Sequence, residues 1–163
     1  NAEVLYDAVN TLLETESQFA GQAPGTRAVA LPDNSYNQST YFLTVFGRPD
    51  SSSACECERT QDASLAQSLH LLNAADIQTQ LSRDQGRADR MAKDSRPDDD
   101  KVADLYHIAL SRDPTADEMK LALSHLGKKT AGKADAALQA GRKEAYEDIL
   151  WALLNTKEFL FNH

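Results

Sequence analysis

Apolar residues in this chain recur at steps of three and four along most of its length, and that spacing constrains the fold more than any other feature. Val4, Leu5, Ala8, Val9, Leu12 and Leu13 form one such stripe, and Leu65, Leu69 and Leu72 form another. Val102, Leu105, Tyr106, Ala109 and Leu110 form a third, and Met119, Ala122, Leu123 and Leu126 a fourth. A fifth is set by Tyr146, Ile149, Leu150, Leu153 and Leu154. Side chains three and four apart share one face of an α-helix, so each stripe must be covered by another element. The pattern predicts a mainly α domain, a bundle of about five helices, with helices over about 2–15 and 142–155 at its two ends. With 163 residues the chain is sized for a single domain over 1–163 with a real core.

The helix boundaries carry their own signals. Asp98-Asp-Asp100 places three acids where the N-terminal end of a helix dipole favours negative charge, and they are read as a helix start. Pro114-Thr115-Ala-Asp-Glu118 is a capping box, in which a threonine hydroxyl and a glutamate carboxylate satisfy two orphan amides reciprocally. Gly127 is expected to end the helix that follows. Ile77 and Leu81 either extend the Leu65 helix or begin another, while 83–96 is read as a frayed end plus a loop. The Ala-, Lys- and Gly-rich stretch 128–141 is read as partly disordered or loosely helical, with the last helix starting only at about 142. Phe159, Leu160 and Phe161 would be an exposed apolar patch if the tail did not dock.

Between 16 and 59 the helical period disappears. Turn chemistry at 22–25 and 32–35 flanks a weakly alternating segment at 27–31. The run YFLTVF at 41–46 has the aromatic and β-branched composition of a strand. This long irregular arm has room for a short β-ribbon. It then reaches Cys55-Glu-Cys57-Glu-Arg59, which holds both cysteines of the chain.

The arm supplies the candidate site: Arg48, Cys55, Cys57, Arg59 and His70. In extended backbone Cys55 and Cys57 point to one side, but a structural zinc site needs four ligands and no histidine shows ligand spacing with them. A disulfide between them would close a small, strained ring. Two buried, reduced thiols are the favoured reading. Arg48 and Arg59 pair with carboxylates or orphan carbonyls, or else grip an anionic ligand through the guanidinium fork. His70 flanks Leu69 on a helix edge, a packing position. The haem attachment motif C-x-x-C-H, a phosphate loop, G-x-S-x-G and H-E-x-x-H are all missing from the sequence, so no catalytic residue is assigned.

Composition removes other classes. The net charge is −8, with a sequence pI near 4.9, and no basic stripe suits a nucleic-acid backbone. No apolar run reaches the ~18 residues of a membrane span. Asn1-Ala2 reads as the remnant of a cleaved tag, so the chain is expected to be a fragment.

Several motifs together resemble a known family. These are Phe46-Gly-Arg-Pro49, the Cys55 to Arg59 run and LAQSLHLLN at 65–73, with Gly25-Thr-Arg27 and Leu31-Pro-Asp33 before them. Leu110-Ser-Arg112 with Pro114-Thr115, WALLN at 151–155 and EFLFNH at 158–163 follow. In that order they resemble the C-terminal domain of unknown function of large secreted proteins abundant in planctomycetes and verrucomicrobia. The chain departs from the pattern at Asp50 and Ser51, where a basic residue is expected after Pro49, and this weakens an anion grip by Arg48. The resemblance implies a periplasmic or extracellular location and upstream domains in a longer parent chain, often including a cytochrome-c-like domain. Haem would then belong to the parent, with no cofactor in this fragment. It supplies no catalytic residues.

Three functions remain in view. The first is a non-catalytic C-terminal helical module of an exported multidomain protein, docking on its parent chain or a protein partner. The second is part of an exported redox or polysaccharide-degrading enzyme, with the Cys55 to Arg59 arm lining a shared site. The third is a carbohydrate-binding module whose platform comes from Tyr36, Tyr41 or Trp151.

Overall fold

The structure, a computed structural model, describes residues 2–31, 43 and 75–161. Every regular element among them is helical. Helix α1 is Ala2–Leu13, followed by a short 3-10 turn at Ala28–Ala30. Then come α2 (Ala75–Ser82), α3 (Arg87–Lys93), α4 (Asp98–Leu110), α5 (Ala116–Thr130), α6 (Asp135–Leu154) and α7 (Lys157–Phe161). The chain divides into two compact units: 1–11 with 15–74 and 163, and 12–14 with 75–162.

In the first unit, α1 buries Leu5 and Val9 as its stripe predicts, while Val4 stays exposed. Asp7 on the same helix is buried, and its carboxylate accepts from the Ala28 and Val29 amides at 2.7 and 3.2 Å. Those amides open the 3-10 turn, so the 27–31 stretch is pinned by a side-chain cap and is not an extended run. Thr15 donates through its hydroxyl to Asn10 Oδ1 at 2.8 Å, and Asn10 Nδ2 donates to Ser17 Oγ at 3.1 Å, tying the loop to the helix end. Tyr6 stacks on Phe19 with centroids 5.6 Å apart. Leu43 is fully buried and helical, unlike the strand read from its sequence; the rest of 41–46 and the leucines of 65–72 lie outside the described residues.

The second unit is organised on α6, which touches α2, α3, α4, α5 and α7. It buries the predicted stripe of Tyr146, Ile149, Leu150, Leu153 and Leu154, with Ala145 and Gly141 beside it. They meet Leu81, Ala88, Met91, Val102, Leu105, Leu126 and Phe159, all buried. Three expectations are corrected here. The 83–96 stretch contains the helix α3, which buries Ala88, Met91 and Ala92. Gly127 does not end α5, which continues to Thr130. Most of 128–141 is helical too: α6 starts at Asp135, seven residues before the expected 142. Alanine is the strongest helix former, so 135–140 propagates a helix without an apolar stripe of its own.

The loop between α5 and α6 brings those helices close together. A Cβ added at Gly141 would run into the Lys129 carbonyl oxygen of α5. The position therefore holds the one residue that lacks a Cβ. The capping box is present as read: Thr115 Oγ1 accepts from the Glu118 amide at 3.3 Å, and the Glu118 carboxylate accepts from the Thr115 amide at 2.7 Å. Beyond α6, Asn155 donates to the Trp151 carbonyl and Thr156 Oγ1 accepts from the Phe159 amide, which turns the chain into α7 and buries Phe159 as expected of the tail.

Candidate functional site

Arg48, Cys55, Cys57, Arg59 and His70 all lie outside the described residues, as do the candidate platforms Tyr36 and Tyr41. Three other polar or groove-forming constellations come together in the second unit.

The first forms where α3, α4 and α6 meet. Lys101, on the first turn of α4, is completely buried. Its ammonium donates to the carbonyls of Met91 and Asp94 at 3.2 and 3.0 Å and pairs with Asp98 Oδ1 at 2.9 Å. All three of its protons are thereby used. It also lies 5.3 Å from the centroid of the Tyr146 ring. Asp98 accepts in addition from the Tyr146 hydroxyl at 2.8 Å and from both terminal nitrogens of Arg142, which reaches on to the Ala92 carbonyl. Burial pushes the Asp98 carboxyl up, and the bonds from Lys101, Tyr146 and Arg142 more than reverse it, leaving it below the ordinary aspartate range. Burial, then the bond to Asp98, pushes the Tyr146 hydroxyl well up. So one of the three acids at the helix start does more than complement the dipole.

The second centres on Arg112, just past the left-handed Ser111 that ends α4. Nε and Nη2 donate to the two oxygens of Glu158 on α7, both at 2.8 Å. Nη1 and Nη2 donate to those of Glu118 on α5, both at 2.9 Å, and Nη1 also donates to the Asp113 carbonyl. All five N–H groups of the guanidinium have partners. The Tyr106 ring lies beside it, with its centroid 5.6 Å away. Arg112, then the Thr115 amide, holds the Glu118 carboxyl down at about 2. One side chain thus joins the end of α4, the capping box of α5 and the start of α7. The sequence carried this signal as Leu110-Ser-Arg112, Pro114-Thr115 and Glu158, recognised there only as motif positions.

The third constellation is a groove of about 420 Å³ along α4, α5 and α6. Tyr106, Leu121, Ile149, Trp151 and Ala152 give it an apolar lining, and Leu121 is 73% exposed. On its rim Asp148 Oδ2 meets His125 Nε2 at 2.8 Å and Lys129 Nζ at 3.1 Å. Trp151 Nε1 is buried and has no acceptor among the described residues. A smaller depression of about 210 Å³ is lined by Arg87, Arg90, Arg96, Glu14, Asp94 and Asp104. There Arg87 and Arg90 pair with Glu14, and Arg96 pairs with Asp94 and Asp104.

Among the described residues, no group of three or more His, Cys, Asp or Glu side chains could hold a metal ion. No described helix is long and apolar enough to cross a membrane. The fold and its polar clusters define an all-helical domain whose charged side chains hold one helix to the next. The family described as PSD1, protein of unknown function (DUF1553), matches residues 6–126, and the chain belongs to that family. No curated protein and no solved structure matches it.

Proposed function

We propose that the chain is a non-catalytic helical module of an exported multidomain protein, carried at the C-terminal end of its parent and docking on the domains upstream. The observation that carries this reading is where the charged groups point. Lys101 has all three protons bound, and Arg112 has all five N–H groups bound, to acceptors within the same unit. A catalytic acid, base or anion grip keeps at least one such group directed at a substrate. These clusters instead build a stiff frame, and a stiff frame suits a part that docks without rearranging. Export, an upstream cytochrome-c-like domain and haem in the parent follow from the family resemblance and belong to this proposal.

Isothermal titration of the chain into parent protein truncated before residue 1 tests docking. A saturable one-to-one complex supports the reading. Heat indistinguishable from dilution, with the full-length parent showing independent tumbling of the module, overturns it.

A further inference from the structure

We infer that the groove between α4, α5 and α6 is a binding site for a neutral sugar ring. The inference rests on that groove alone and does not depend on docking to upstream domains.

Its size is the first argument. At about 420 Å³ it falls within the ~300–1,000 Å³ of small-ligand sites and offers too little surface for a stable protein interface. The lining is the second. Two aromatic side chains, Tyr106 and Trp151, border an apolar floor of Leu121, Ile149 and Ala152. The face of a sugar ring is a row of C–H groups that packs on such a surface, while its hydroxyls need acceptors at the edge.

The rim supplies an acceptor. Asp148 is 47% exposed and uses only Oδ2 on His125 and Lys129; Oδ1 has no partner among the described residues. Lys129 Nζ also binds Glu144, at 2.7 Å, so the ammonium is fixed between two carboxylates. Asp148 Oδ1 is thus an open acceptor beside an apolar floor, the placement a sugar hydroxyl needs. Glu118, which also lines the groove, is held as a carboxylate by Arg112, and its Oε1 accepts one hydrogen bond, from Arg112 Nη2. A carboxylate oxygen accepts more than one hydrogen bond. The Trp151 indole N–H is buried and has no acceptor among the described residues, a cost that a finished core avoids. An aromatic wall and carboxylate acceptors at its edge together describe a sugar subsite. A purely apolar side chain would leave the carboxylate edge unused.

Trp151 is the single tryptophan of the chain, so its fluorescence reports on the groove directly. Cellohexaose, xylohexaose and mannohexaose are titrated into the full chain, with a leucine-rich peptide and a lysine-rich peptide in parallel. The expected result is a saturable fluorescence change with at least one hexasaccharide and none with the lysine-rich peptide. Isothermal titration with that sugar should lose all binding in Trp151→Ala and about tenfold in Asp148→Asn, the loss expected for one hydrogen bond to a charged group. Trp151→Phe should retain part of the affinity, and circular dichroism establishes that each variant is folded. Silence with all three sugars overturns the inference. So does saturation by the leucine-rich peptide alone, or sugar affinity unchanged in both Trp151→Ala and Asp148→Asn.

Discussion

Two glycines in neighbouring helices should respond in opposite directions to the same substitution. Gly127 is inside α5, solvent-exposed, with nothing within 4 Å of where a Cβ would sit. Alanine there removes the entropic cost of glycine in a helix, and Gly127→Ala should stabilise the chain by up to ~1 kcal/mol. Gly141 is inside α6 and buried, and its Cβ would meet the Lys129 backbone oxygen together with Lys133 Nζ at 3.1 Å. The lysine end can swing away, but the carbonyl cannot move without shifting α5. The same propensity gain is therefore set against an overpacking penalty of ~1–3 kcal/mol, and Gly141→Ala should cost a net of up to ~2 kcal/mol. For a chain of 163 residues each kcal/mol is worth roughly 2–4 °C in melting temperature. Thermal unfolding followed by far-ultraviolet circular dichroism should show one variant above the parent and the other below it. If Gly141→Ala melts at or above the parent temperature, the close approach of α5 and α6 is wrong.

Thr115→Ala removes the hydroxyl half of the capping box and should cost ~1 kcal/mol, read as a lower urea midpoint with an unchanged slope. Acid should destabilise the chain below about pH 4.5. Glu118 is held at about 2 against an ordinary 4.5, with Asp98, Asp89 and Glu158 also below their usual values, so the unfolded chain takes up protons first as pH falls. The stability these groups give is complete above their unfolded values and is lost toward pH 2; Glu147, which burial pushes up, works weakly the other way. Melting temperatures from pH 6 to 2 check the sign. Arg112→Lys cannot reproduce the forked bonds to Glu118 and Glu158, so it should lower the melting temperature at pH 7 and flatten that acid dependence.

Where apolar side chains repeat at helical spacing, the fold was readable. The stripes of α1, α4, α5 and the second half of α6 were visible because burial selects those positions. One helix, α3, and the start of another escaped notice for the opposite reason. The 135–140 turn of α6 is exposed and alanine-rich, and α3 has only Ala88, Met91 and Ala92 to bury among charged neighbours. The capping box was legible because its partners are three residues apart. The Lys101 cluster was not, since Asp98 and Arg142 are joined by tertiary packing that no local spacing encodes. Arg112 and Glu158 stood in plain view as motif positions, yet their pairing depends on α7 folding back beside α4. The arginine and cysteine arm chosen as the candidate site, Arg48 to Arg59 with His70, lies outside the described residues. Trp151 falls outside the stripe of Tyr146, Ile149, Leu150, Leu153 and Leu154, and it borders the groove.

The claim that these charged clusters are structural is tested most directly at Lys101. Replacing one partner of a buried, hydrogen-bonded pair costs ~3–5 kcal/mol, and Lys101→Met also strips the Met91 and Asp94 carbonyls of their donor. Urea unfolding of Lys101→Met should show a loss of at least ~3 kcal/mol. Stability equal to or above that of the parent chain would show that the Lys101 bonds do not hold this junction together, and would contradict the account.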